Sequence, residues 1–174
     1  LIAGEEAKGF MRYQKIESQI WNDEKFSQLS ANDQRLFFYI LTSPHNNLIG
    51  LYVLKQGYAC DDLRTSPEEL RKGLESLCES GLITYDFKNQ VVWIKNFLKH
   101  NPIGNPNQKK AMLKEVDALP NTQLIQEFTR YNSEFISTLD EGLRKGLTRA
   151  SEGLTNPLVQ ISISSSNNYN SEAD

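Results

Sequence analysis

The sequence predicts an α+β fold, mainly α: a winged helix-turn-helix domain followed by C-terminal helices and a disordered tail. Three observations predict it. The first is the stretch Ser66–Ser80, where Ser66 caps a helix, Pro67 fits its first turn and Glu69 completes an S-x-x-E capping box. Leu70, Leu74, Leu77 and Cys78 then recur on one helical face. The second is the segment after this helix. Gly81 stops the helix, because a helix C-terminus often needs a residue with positive φ. Two runs rich in β-branched and aromatic residues come next, Leu82–Asp86 and Val91–Lys95, joined by Phe87–Gln90, which is short enough for a hairpin turn. Helix, glycine and hairpin form the back half of a winged helix-turn-helix, in which the helix enters a major groove and the hairpin touches the phosphate backbone. The third is the remainder, in which helical periodicities give way to a Ser/Asn-rich end from Ser151.

Taken in order, residues 1–10 read as an N-terminal extension or cloning remnant ahead of a start at Met11. Arg12–Glu17 is a candidate first strand, with Ile20 and Trp21 packing after it. Asn22–Leu29 reads as a short helix or turn holding Phe26 and Leu29. Ser30 caps a strong helix with Asp33 at the box position and Leu36, Phe37, Ile40 and Leu41 inward. Pro44 and Asn46-Asn47 make Thr42–Asn47 a loop. Ile49–Leu54 is a strand candidate that Gly50 can bend. Lys55–Leu63 is the first helix of the helix-turn-helix, with Ala59 and Leu63 facing the second, and Arg64–Ser66 is its turn.

The domain is expected to span 11–107. Two Asn-Pro steps and a glycine in FLKHNPIGNPN forbid a continuous helix there. A helical extension over 108–147 begins at the Asn105-Pro106 cap, with Met112, Val116 and Leu119 as its apolar side, and stops at Pro120. A helix starting at Asn121 or Thr122 carries Leu124, Ile125, Phe128 and Tyr131. Phe135, Ile136, Leu139, Leu143 and Leu147 keep the period, but Gly142 and Gly146 weaken it by ~1 kcal/mol each relative to Ala. That stripe needs a cover, from the chain's own body or from a second copy in a homo-oligomer. Residues 148–174 read as a flexible linker, Ile161–Ser166 being its one strand-like run, and a linker of this kind points to a further domain beyond it.

Composition narrows the function classes. The chain has 174 residues, 39% of them hydrophobic, and contains no run of about 18 apolar residues, so no membrane span is expected. Leu1–Phe10 lacks the basic and apolar blocks of a signal peptide. Cys60 and Cys78 sit at apolar helix positions and are expected as buried thiols of a reducing cytoplasm. The net charge of −3 is unevenly spread. Acids outnumber bases over 11–87 and over 115–174. Between them stand Lys88, Lys95, Lys99, Lys109, Lys110 and Lys114 with no acid at all. A solvated face mixes signs, so this block is a candidate phosphate footprint.

Chemistry-bearing motifs are otherwise sparse. His45 and His100 are far apart, and no Cys, Asp or Glu completes a metal set at recognisable spacing; loop-anchoring hydrogen bonds are expected of them, and no metal or cofactor. Asp61-Asp62 reads as a solvated pair beside Arg64. Neither G-x-x-x-x-G-K-[ST] nor G-x-S-x-G is present, so nothing supports an enzyme. Trp93 is expected in the core. Phe87, nearer the hairpin tip, is the better candidate to stack on a base.

The run from Met11 to Asn107 resembles a family of phage and prophage replication-initiation or replisome-organiser proteins whose N-terminal winged helix is related in architecture to the primosome protein DnaD. The residues that carry the resemblance are RYQKIESQIWND (12–23), LFFYILTSPHNNLIGLYVL (36–54), GLITYDFKNQVVWIKNFLKHNPIGNPN (81–107) and the later EGLTNP (152–157). The resemblance implies DNA binding in phage replication, in the cytoplasm of a bacterial host, and a linker leading to a module that contacts helicase or its loader. Duplex DNA is the expected partner, single-stranded DNA the second. On this reading Lys88, Lys95, Lys99, Lys109 and Lys110 neutralise phosphates and release counterions, while Arg64, Arg71 and Lys72 position the helix-turn-helix over a groove. One feature departs from a generic DNA reader: helix 66–80 carries Glu68, Glu69, Glu75 and Glu79. This leaves two rivals, a protein-interaction adaptor that recruits helicase or loader, and a winged-helix transcriptional regulator.

Overall fold

The structure, a computed structural model, describes residues 14–152. Residues 1–13, with Met11 and the start of the expected Arg12–Glu17 strand, lie outside the described residues, as do 153–174 with the Ile161–Ser166 run. The fold is mainly helical around a small three-stranded antiparallel sheet. Residues 14–17 form no strand, contrary to expectation. They stay outside the sheet. Instead the Ile20 amide reaches the Glu17 carbonyl at 3.1 Å and opens a 3₁₀ turn over Ser18–Asn22.

Asp23 accepts the Phe26 amide at 2.9 Å and starts α1, Glu24–Ser27. Ser30 accepts the Asp33 amide at 3.1 Å and caps α2, Ala31–Thr42, whose buried residues are Leu36, Phe37 and Ile40. The loop after α2 is anchored by asparagines. Asn46 donates to the Leu41 carbonyl, and buried Asn47 donates to the Leu51 carbonyl while accepting the Ile49 and Leu51 amides. Gly50, at φ +65°, turns the chain into β1, Leu51–Val53. A Cβ there would lie 2.5 Å from the Phe97 ring, so both the backbone and the space demand glycine.

Helix α3, Gln56–Leu63, ends at Arg64, whose left-handed backbone (φ 50°, ψ 50°) redirects the chain. Helix α4, Pro67–Glu79, opens on the full capping box: Ser66 Oγ accepts the Glu69 amide at 3.2 Å, and the Glu69 carboxylate accepts the Ser66 amide at 3.0 Å. It closes with the Gly81 amide on the Cys78 carbonyl (3.0 Å) and the Leu82 amide on the Leu77 carbonyl (3.3 Å). This Schellman pairing needs the positive φ that Gly81 adopts, +72°. Strands β2, Ile83–Asp86, and β3, Val91–Ile94, form the hairpin, and β3 is the middle strand of the order β1-β3-β2.

All four residues of β3 are buried, because the sheet is covered on both faces. Alternation sends Tyr52, Ile83, Tyr85, Val92 and Ile94 toward α2, α3 and α4. It sends Leu51, Val91 and Trp93 into a second core with the C-terminal helices. Those are α5, Phe97–His100; α6, Pro106–Asp117, boxed by Asn105 and Gln108; α7, Leu124–Tyr131; α8, Ser133–Ser137; and α9, Glu141–Glu152. The apolar stripe finds its cover inside the chain. Ile136, Leu139, Leu143 and Leu147 are buried with Met112, Val116 and Phe128. The continuous period of that stripe is interrupted, however. Asp140 accepts the Leu143 amide at 2.9 Å and restarts the chain as α9, which runs past Leu147 to Glu152.

Candidate nucleic-acid interface

The two cations of α4 are already committed. Arg71 Nε lies 2.9 Å from Glu75 Oε1, and Lys72 Nζ lies 2.7 Å from Glu68 Oε1, both at i,i+4 spacing on an exposed face. Such pairs contribute only ~0.3–0.5 kcal/mol each, but they cancel local charge where a groove-reading helix would present it. The Arg71 guanidinium also sits 4.8 Å from the centre of the Phe87 ring, which meets Tyr85 edge-on at 4.9 Å. The ring singled out as a base stacker is therefore half-buried against the core, between Arg71 and Tyr85. Glu69 is held below the usual carboxylate range by the Ser66 amide first, then by the Ser66 and Thr65 hydroxyls. Arg64 is exposed on the α3–α4 turn and makes no ion pair with another described residue.

The lysine block divides. Lys95 is half-buried, its ammonium 3.2 Å from the centre of the Trp93 ring and 5.4 Å from that of Tyr131. Burial pushes its pKa down, with Glu127 opposing. The Tyr131 hydroxyl donates to Asn96 Oδ1 at 2.8 Å and closes this aromatic seat. Trp93 itself is core, 2% exposed, and packs on Phe128 and Tyr131. By contrast Lys88 on the hairpin turn, Lys99 on α5, and Lys110 and Lys114 on α6 are exposed. Lys109 is half-buried. None of these five makes an ion pair with another described residue.

The hairpin tip is pinned from two sides. Asp86 accepts the Lys88 and Asn89 amides, each at 3.0 Å, and the Asn89 side chain at 2.7 Å. Across the fold the Thr122 hydroxyl donates to it at 2.6 Å, and Asn89 reaches the Asn121 carbonyl. Partial burial raises the Asp86 pKa, but the four donated hydrogen bonds outweigh it and hold the carboxyl below its ordinary range. A carboxyl depressed in the folded state stabilises the fold above the unfolded value of about 3.9 and loses that contribution as pH falls through the folded value. Wild type should therefore lose stability relative to Asp86→Asn as pH drops below about 4. Denaturant unfolding at pH 6, 4 and 3 measures this, and a difference that stays constant with pH refutes it.

The remaining expected groups have other partners. His100 Nδ1 lies 3.7 Å from Glu17 Oε1. His45 anchors its loop through its backbone amide, on Ser43 Oγ at 3.2 Å, and its ring stacks on Tyr58. Asp62 accepts the Tyr39 hydroxyl at 2.7 Å. Cys60 and Cys78 are free and half-buried, and burial pushes both thiols up. Among the described residues no three His, Cys, Asp or Glu side chains gather as a metal set, and no helix is long and apolar enough to cross a membrane. No protein-family model, curated protein or solved structure matches the chain.

Sequence reasoning missed one cluster. Tyr58 on α3 is 50% exposed, its ring stacked on His45 with centroids 5.4 Å apart and planes 17° apart. Lys55 Nζ lies 5.6 Å from the Tyr58 centroid. Lys55 and Tyr58 share one turn and were within reach of a sequence reading. His45 comes from the preceding loop, and only the fold joins it to them.

Proposed function

We propose that α2–β1–α3–α4–β2–β3 is a winged helix-turn-helix and that the protein binds DNA in phage or prophage replication initiation. The observation that carries this reading is the division among the cations. Those of α4 are paired within the helix, whereas Lys88, Lys99, Lys109, Lys110 and Lys114 form no ion pair with another described residue. Cations without intramolecular partners remain available to phosphates and release counterions when they bind. Phosphate contacts position a protein on DNA but carry no sequence information, so binding is sequence-tolerant. Arg64 adds charge at the helix-turn-helix corner. Lys95 acts indirectly, by bracing Trp93 and Tyr131 under the hairpin. The replication role is supported by the resemblance of the 12–23, 36–54 and 81–107 runs.

The test is a salt series on duplex DNA. Replacing Lys88, Lys99 and Lys110 together by Ala should weaken binding to all sequences alike and reduce the log–log salt slope by ~0.9 for each lost contact. Arg71→Ala should change affinity far less, since its charge is spent on Glu75 and Phe87. An unchanged slope in the triple variant defeats the charge argument. It would favour a second reading, for which α4 itself argues. Its exposed Glu79, which forms no ion pair with another described residue, suits a basic protein surface, such as that of a helicase or loader, and co-sedimentation abolished by Glu79→Lys would support that adaptor role.

A further inference from the structure

We infer that the His45–Tyr58 stack, with Lys55 beside it, is a stacking seat for an unpaired base of single-stranded DNA. The inference rests on the DNA-binding reading above and adds a second mode to it. Three observations converge. The first is that Tyr58 belongs to neither core. The buried residues of α3 are Ala59 and Leu63, whereas half of Tyr58 faces solvent and its partner is another exposed ring. Among the described residues the other exposed aromatics pack on core rings: Trp21 on Phe26, and Tyr131 on Trp93, with a bond to Asn96.

The second is geometry. Two near-parallel rings form a stack that a planar base can extend, and the start of α3 is open, since a Cβ placed on Gly57 would meet nothing within 4 Å. The third is charge. The Gln56 amide donates to Gln90 Oε1 at 2.9 Å, and the Leu54 amide donates to the Gln90 carbonyl at 2.8 Å. These two bonds tie the start of α3 to the hairpin turn that carries Lys88. Aromatic faces for bases beside lysines for the backbone are the two parts from which sequence-tolerant single-strand binding is made. Lys55 contributes the nearer cation.

Fluorescence anisotropy with short oligo(dT), the same oligomer made abasic, and oligo(rU) tests the seat in wild type, Tyr58→Ala and Tyr58→Phe. Wild type should prefer oligo(dT) to the abasic strand. Tyr58→Ala should weaken oligo(dT) binding about 5- to 150-fold, the range for one base–aromatic stack, and erase the preference over the abasic strand. Tyr58→Phe should keep it. Thermal melts of all three should coincide, because the ring is half exposed. If wild type binds DNA with a lysine-dependent salt slope yet Tyr58→Ala retains the preference for bases, the seat is refuted and the DNA reading stands. If wild type binds neither duplex nor single strand, both fall. A Tyr58 dependence confined to oligo(rU) overturns the assignment to DNA.

Discussion

Replacing Trp93 by alanine should lower the unfolding free energy by about 3–5 kcal/mol, the usual cost of emptying a buried tryptophan site. Trp93 stands on the middle strand of the sheet, paired with Leu51 on one side and Thr84 on the other. Its side chain enters the core beneath α7, where Phe128 and Tyr131 meet it edge-on at 5.9 and 5.2 Å. A cavity there cannot close cheaply, because the strand is held on both edges and neighbouring Leu51 and Val91 are themselves fully buried. Lys95 would also lose the ring beneath its ammonium, worth ~0.5–1 kcal/mol or more. Urea unfolding measures the loss, and hydrogen exchange should show α7 loosened more than α2, which packs on the opposite face. A loss below about 1 kcal/mol would contradict a core shared by the sheet and the C-terminal helices.

Leu74→Ala should cost about 2–5 kcal/mol. Leu74 is 1% exposed on the inner face of α4, in the core that also holds Leu36, Leu70 and Leu77. The neighbouring Gly73 already lets α2 approach closely, since a Cβ there would lie 2.8 Å from Leu36. The α2–α4 contact is therefore tight, and little slack exists to fill the space that Leu74 leaves. A thermal melt equal to wild type within error would show that this face of α4 is not the one that holds the domain together.

Many of the local features were legible in the chain itself. The S-x-x-E box at Ser66, the Asn105-Pro106 start of α6 and the hairpin around Phe87–Gln90 are local devices, since the capping groups lie within three residues of one another and the paired strands are joined by a four-residue turn. The inward residues of α2 and α4 could be read for the same reason, as helical period alone places them on one side. The candidate site was legible only as charge. The acid-free block from Lys88 to Lys114 is plain in the sequence, but which of its lysines remain unpaired is not. Lys95 and Lys99 look alike there, and the fold seats one on Trp93 while leaving the other exposed.

By itself, then, the sequence determined the caps, the hairpin and the inner faces of α2 and α4, because each depends on neighbours along the chain. The tertiary structure decided everything that depends on contacts across it. It kept residues 14–17 out of the sheet and led them into the 3₁₀ turn at Ser18–Asn22, and it covered the stripe from Ile136 to Leu147 with the chain's own second core. It gave Gly146 a purpose that helix propensity hides, since a Cβ there would lie 2.7 Å from Leu113, so the glycine lets α9 close on α6. It also brought Thr122 to Asp86 and His45 to Tyr58, pairs separated by 36 and 13 positions, whose meeting no local pattern encodes.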